Sequence, residues 1–286
     1  MAALVGGAVG ILSGLLGIGG GVLIVPFLYL LLALPGWSGL EAHPEHHAAL
    51  AHATSLALIV PTALSGVLAY TRRGLMDASS LLPLGLGAGG AALIGSAVAP
   101  LLPAVLLQVA FGVFLLFMAL RLSIPGRTGA GVGGMDSRTG RLPWAVGLTG
   151  GGVVGFLSAL LGVGGGVVAI PILLKWVRVG IERVAAASLG VIVCAALAGT
   201  IGYGVGGLGV EGLPRGALGF VHLPLLFAML PGAVLAAPLG ARWNDLLPAS
   251  TLRRLFALLL LLMGIRLLWV YLPVLLAGFS PGLSQG

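Results

Sequence analysis

Charge is scarce in this chain. Only 7% of its 286 residues are Asp, Glu, Lys or Arg, against 59% hydrophobic, and the mean hydropathy is +1.17. A soluble domain cannot cover its surface with so few charges, so the solvent around most of the chain is lipid. Carboxylates are scarcer still. There are seven, and none falls inside an expected span, which removes the buried acid that couples many proton and sodium transporters. The single cysteine, Cys194, excludes an intramolecular disulfide framework. The N-terminus lacks the basic region of a signal peptide, and its apolar stretch is echoed later in the chain. No span carries a paired Asp, a His-Glu motif or a nucleophile–base pair, so an intramembrane enzyme has no machinery here, and no cofactor is expected. The net charge of +7 does not indicate a nucleic-acid partner, because fourteen basic residues spread this thinly make no binding face. They read as topology signals at membrane edges.

What is present is apolar length. Runs near 48–70, 81–100, 103–122, 184–204, 219–240 and 249–272 each approach the ~20 residues a spanning helix needs. Two further runs, 4–34 and 144–174, would extend about 46 Å as straight helices, against a hydrocarbon core of about 30 Å. They are too long for one simple span and too short for two full ones. Each carries a glycine cluster near its middle, "GLLGIGGGVLIVP" at 14–26 and "ALLGVGGGVVAIP" at 159–171. Glycine inside a helix costs roughly 1 kcal/mol relative to alanine, so such clusters mark either close helix packing or a deliberate break.

The clusters belong to a duplication. Gly10, Ser13, Gly17, Gly19, Gly20, Gly21 and Pro26 recur 145 positions later as Gly155, Ser158, Gly162, Gly164, Gly165, Gly166 and Pro171. "TSLALIVPTALSGVLAY" (54–70) aligns with "ASLGVIVCAALAGTIGY" (187–203), pairing Ser55 with Ser188, Gly66 with Gly199 and Tyr70 with Tyr203. Pro103 and Arg121 correspond to Pro248 and Arg266. A single membrane domain is expected, with repeat one at 1–122, a cytoplasmic linker at 123–143 and repeat two at 144–286.

Charge placement orients the repeats. Arg72 and Arg73 form one basic cluster and Arg121, Arg127, Arg138 and Arg141 a second. Lys175, Arg178 and Arg183 form a third, and Arg242, Arg253 and Arg254 a fourth. If each glycine run crossed the membrane once, the third and fourth clusters would face opposite the first two, against the positive-inside tendency. If each run enters, turns and leaves on its own side, all four face the cytoplasm. Each half then crosses an odd number of times, so the halves are inverted, as in many secondary transporters. The expected fold is an all-α polytopic membrane protein with two inverted-topology repeats. Each repeat is a glycine-rich broken or re-entrant helix pair followed by three spanning helices.

A hairpin that turns inside the membrane needs burial in protein or a polar cavity, since lipid satisfies no backbone group. Its second arm starts near the turn, and free N–H groups at a helix N-terminus bind anions. Two such tips, one from each half, would hold a small anion near the midplane. A dinucleotide fingerprint fails, because the pattern is not G-x-G-x-x-G and no strand–turn–helix surrounds it.

The paired glycine runs, the following "ATSL" and the later "RLFALLLLLMGIRLL" resemble the TauE/SafE family of sulfite exporters over nearly the whole chain. The resemblance implies transport of a small sulfur-containing anion (sulfite, thiosulfate or an organosulfonate) across the bacterial cytoplasmic membrane. The family's motif positions fall on Gly17, Gly19, Gly20, Gly21, Pro26, Thr54 and Ser55, and on Gly162, Gly164, Gly165, Gly166, Pro171 and Ser188. Ala187 stands where the first half has Thr54, so the first half would contribute more hydroxyl donors.

Ser13, Ser158, Thr54, Ser55 and Ser188 are the expected hydroxyl donors to an oxyanion, although a membrane hydroxyl also bonds back to its own helix. His52, near the outer end of its span, is a candidate for a coupling proton, set against a merely interfacial histidine. Arg121 and Arg266, near the ends of matched helices, are candidates for attracting anions at each mouth, set against snorkelling. "EAHPEHH" reads as an exposed entrance rather than a metal site, and Tyr70 and Tyr203 as interface markers. The expected function is a sulfur-anion carrier; an anion channel on the same fold is the alternative, and a non-transporting scaffold subunit the remaining one.

Overall fold

The computed structural model describes residues 6–7, 11, 21–32, 44–72, 78–123, 143–175, 181–246 and 249–278. Nine helices follow one another in the described segments: α1 (Gly21–Leu32), α2 (His47–Arg72), α3 (Ala78–Val98), α4 (Ala104–Ser123), α5 (Trp144–Leu161), α6 (Gly166–Lys175), α7 (Ile181–Gly206), α8 (Leu223–Leu246) and α9 (Ala249–Gly278). A small antiparallel hairpin, β1 (Ala217–Leu218) with β2 (Val221–His222), precedes α8. Six of the described helices are long and apolar enough to cross a membrane: α2, α3, α4, α5, α7 and α9. The chain is therefore a multi-pass helical membrane protein, as its composition requires.

Packing registers give the helix directions. Gly85 and Gly89 of α3 face Cys194 and Ala198 of α7, while Gly202 faces Leu93 and Ser96, so α3 and α7 run parallel. Gly87 meets Leu148, Gly155 meets Ala88, and Gly95 meets Phe156 and Ala159, so α5 runs parallel to both. α2 opposes them, since Gly66 faces Leu189 and Leu56 faces Gly199. The last two contacts are reciprocal: each repeat's glycine receives the leucine that matches in the other. Without hydrophobic drive between helices in lipid, small residues that let backbones approach are what hold such pairs.

These directions decide how the run at 144–174 behaves. Ala159 of α5 lies abreast of Gly199 of α7. Counting back from Gly199 to Ile181 covers about 27 Å at 1.5 Å per residue, and the same distance back along α5 falls just before Trp144. The chain climbs α5 and by Ile181 is back at its starting level, so α6 carries it in the reverse direction. The second glycine run is thus a hairpin. For the first run, residues 12–20 lie outside the described segments, as does the linker between Ser123 and Pro143.

The same registers gather the basic residues. The end of α2 with Arg72, the end of α4 with Arg121, and the starts of α7 and α9 with Arg183, Arg253 and Arg254 all lie toward one end of the bundle. α4 and α9 are antiparallel by the contacts of Gly112 with Leu267 and Leu268 and of Gly264 with Leu116.

Two expectations need correction. The run expected to span at 219–240 is not among the six: Ala217–His222 pair as the β-hairpin, and the apolar part described in α8, Leu223–Ala236, is shorter than a span needs. The hairpin's turn uses Gly219 at φ +55, beside the Gly204 carbonyl. Tyr203 is no interface marker: it is fully buried, and its hydroxyl donates to the Ala159 carbonyl at 3.0 Å, tying α7 to α5.

Gly155→Ala tests the packing. A Cβ there runs into the Ala88 backbone, which cannot yield as a flexible side chain would. Overpacking of this kind costs roughly 1–3 kcal/mol, so thermal unfolding of the purified protein in detergent should occur at a lower temperature. Gly90→Ala, with nothing within 4 Å of the added carbon, should leave the transition in place or raise it.

Candidate functional site

α5 stops because its glycines adopt a conformation that other residues resist. Gly162 caps the helix at φ +67, and its N–H donates to the Ser158 carbonyl. Gly164 and Gly165 follow at φ +72 and +76. The left-handed region costs L-residues with a Cβ, so the run of glycines permits the turn. α6 begins at Gly166, and its first backbone bond to the turn is from Ala169 N–H to the Gly165 carbonyl. The N–H groups of Gly166, Val167 and Val168 therefore have no carbonyl one helical turn behind them, and the positive end of α6 lies at the turn.

The first repeat supplies the walls. Gly162 packs against His52 of α2, Gly164 against Ile59, and Gly21 of α1 against the Val163 carbonyl and Ile59. The two glycine motifs, far apart in sequence, thus touch. Ile59 stands at the middle of α2, so the contact lies at mid-depth of that helix. Of the expected tip residues, Gly21, Ser158, Gly162, Gly164, Gly165 and Gly166 gather here, all buried. Ser13, Gly17, Gly19 and Gly20 lie outside the described residues.

The hydroxyls divide by use. Ser55 Oγ donates to the Gly162 carbonyl at 2.7 Å, so its proton holds the turn against α2. Thr54 Oγ1 accepts from the His222 N–H at 3.0 Å, fixing the β-hairpin to α2. Ser158 Oγ, fully buried, has no hydrogen-bond partner, and it lies 3.4 Å from the position a Cβ on Gly165 would take. Ser188 is buried in α7 beside Leu189, which meets Gly66 rather than Leu56, so it sits well away from Ser55 along the bundle.

His52 is not interfacial. It is fully buried, and its Nε2 lies 2.6 Å from the Tyr29 hydroxyl of α1. Its Nδ1 faces the Leu160 backbone without reaching hydrogen-bond geometry. Phe111 of α4 flanks both rings. Arg121 is exposed at the end of α4. Arg266 departs from expectation: by the pairing of Gly112 with Leu268 and Gly264 with Leu116 it stands abreast of the middle of α4, because α9 continues to Gly278. In the short 3₁₀ turn Pro44–His46, His46 Nε2–H donates to the Glu211 carbonyl at 3.2 Å, joining it to the loop after α7. No cluster of three metal-ligating side chains occurs among the described residues.

Sequence reasoning missed Tyr29 and His222. The signal for Tyr29 lay in the repeat itself, which has Leu174 at the matching position and Ala185 where the first half has His52. His222 caps α8, its Nδ1 accepting from the Leu225 N–H at 3.2 Å.

Comparison with known proteins places this geometry in context. Residues 2–267 match the family described as Sulfite exporter TauE/SafE. A probable membrane transporter protein of Bacillus subtilis, YunE, is 27% identical over 275 residues, covering 91% of this chain and 93% of that protein. A probable membrane transporter protein of Haemophilus influenzae is 26% identical over 275 residues, covering 92% and 96%. One from Methanocaldococcus jannaschii is 27% identical over 267 residues, covering 93% of each. No solved structure matches.

Two substitutions test the polar contacts. Tyr29→Phe takes from the buried His52 Nε2 its hydroxyl partner, which should cost about 1–3 kcal/mol of stability. Adding His52→Leu should restore part of the loss in a thermal-unfolding cycle. His222 gives a pH dependence: burial holds its pKa below the ordinary value, and Nδ1 is used as an acceptor. Below about pH 6.5 the unfolded chain binds a proton that the folded chain resists. Stability should therefore fall as the pH drops through that value, and His222→Asn, which keeps an acceptor, should flatten the slope.

Proposed function

The chain belongs to the sulfite exporter TauE/SafE family, and from that premise we propose that it is a carrier moving a small sulfur-containing anion (sulfite, thiosulfate or an organosulfonate) across the bacterial cytoplasmic membrane. Family and relatives alike indicate a membrane transporter, not an enzyme. The finer reading concerns what holds the anion.

The turn between α5 and α6 carries it. Desolvating a small anion costs several kcal/mol, while each hydrogen bond to a charged group returns roughly 1.5–3 kcal/mol. A site therefore needs about three or more donors. The N–H groups of Gly166, Val167 and Val168, with the unpartnered Ser158 hydroxyl, make such a set. The anion would lie in the α6 dipole, and a side chain at Gly165 would crowd Val154 and the Ser158 hydroxyl. Gly17, Gly19 and Gly20 would present the matching tip from the first repeat, reaching the site beside Gly21.

Alternating access follows if the two repeats are inverted. The reading is supported by the antiparallel packing of the matched helices α2 and α7 and by their reciprocal Gly66–Leu189 and Gly199–Leu56 contacts. Rocking one repeat against the other would expose the tips first to one side and then to the other.

The direct test is flux of radiolabelled sulfite, thiosulfate and a short organosulfonate into liposomes. Saturable exchange is expected for one of them; conductive, non-saturating flux would make the protein a channel, and cation flux with no anion dependence would end the reading. Ser158→Ala should raise the half-saturating concentration about tenfold, from loss of a bond worth roughly 1.5 kcal/mol. Its thermal transition should stay unchanged, because the hydroxyl bonds to nothing in the folded chain.

A further inference from the structure

Outside the glycine turn, one arginine stands where a membrane protein rarely leaves one. Arg266 lies near the centre of the apolar segment Arg254–Ala277 of α9 and abreast of the middle of α4. Either end of that segment is about 17–18 Å away along the helix, farther than an arginine side chain extends to reach a headgroup. Ionisable residues at this depth face a polar cavity or a partner, and mark ion pathways by default.

A cavity is there. About 120 Å³ of space, partly open at the bundle surface where Arg266 and Val270 are exposed, separates α1 from α9. Its α9 wall includes Met263, Arg266, Val270 and Tyr271, one face of the helix at helical spacing. The α1 wall includes Pro26 and Tyr29. The lining has one formal charge and it is positive, because neither α1 nor α9 contributes an Asp or Glu. Among apolar side chains such as Leu30, Met263 and Leu267, the polar groups facing it are the guanidinium fork and the Tyr271 phenol. Tyr29 lines this space while its hydroxyl holds His52, so it forms the partition between the cavity and the buried histidine.

We propose that the space between α1 and α9 is a second anion site, in which Arg266 and Tyr271 hold a small oxyanion at mid-depth, apart from the glycine turn. The planar guanidinium matches two oxygens of a tetrahedral or pyramidal oxyanion. A headgroup phosphate is excluded by depth, so the ligand is a free, water-borne anion. The second repeat's Arg266 would then serve a cavity bounded by the first repeat's α1, joining the halves through a ligand as the glycine turns join them through packing. This inference does not rest on the carrier reading; a protein without flux in liposomes would still show it.

The lone native cysteine makes a direct test simple. In a Cys194→Ser background, Met263→Cys and, separately, Val270→Cys place a thiol on the cavity wall. Each is treated with an anionic sulfonatoethyl and a cationic trimethylammonioethyl methanethiosulfonate, with rates normalised to a free thiol. The anionic reagent should be favoured on the order of tenfold, as a charged cleft concentrates counter-ions. Sulfate should slow the labelling saturably, Arg266→Lys should keep the preference, and Arg266→Gln should lose it. Failure of both reagents to label either thiol, equal rates for the two, or a preference that survives Arg266→Gln would each overturn the proposal. Labelling results leave the flux experiment untouched, so either reading can fail alone.

Discussion

A helix that stops inside a bilayer exposes main-chain groups where no water can reach them. That constraint governs this molecule. The α5–α6 turn is surrounded on every described side by protein: α2 through His52, Ser55 and Ile59, α1 through Gly21, and α7 through Tyr203. Two hydrogen bonds close around it, from Ser55 to the Gly162 carbonyl and from Tyr203 to the Ala159 carbonyl. The amides of Gly166 to Val168 are left over. The Ser158 hydroxyl, fully buried beside this break, is left without a hydrogen-bond partner.

Glycine does two separate jobs in this chain. At Gly87, Gly151 and Gly155 it removes the Cβ so that α3 and α5 backbones approach, with ordinary helical dihedrals throughout. At Gly162, Gly164 and Gly165 it takes a positive φ and ends the helix. Both uses occur within the same helix-turn-helix, and Gly155 and Gly162 are both members of the repeated motif. Packing and breaking are therefore complementary: the first holds the hairpin in the bundle, and the second turns it.

The duplication is only partly carried into the polar groups. Reciprocal contacts join Gly66 to Leu189 and Gly199 to Leu56, so the apolar frame treats the halves alike. The Tyr29–His52 pair has no counterpart, since Leu174 and Ala185 fill the matching positions. Arg266, by contrast, matches Arg121 in sequence but stands mid-helix because α9 runs longer. A symmetrical scaffold carrying unsymmetrical polar groups gives each half a distinct chemical part.

The membrane class, most spans and the break at the second glycine run were legible in the sequence. Composition, run length and glycine's dihedral freedom act locally and need no partner to be read. The gathering of basic residues toward one end was legible for a related reason, since lipid and membrane potential act on each loop by itself. Which hydroxyl stays free was not legible: Ser55, Thr54 and Ser158 share one chemistry, and only the neighbour each meets across the bundle decides whether its bond is already made. Burial of His52, capping by His222 and the depth of Arg266 likewise arise from contacts between distant segments, which tertiary packing alone creates.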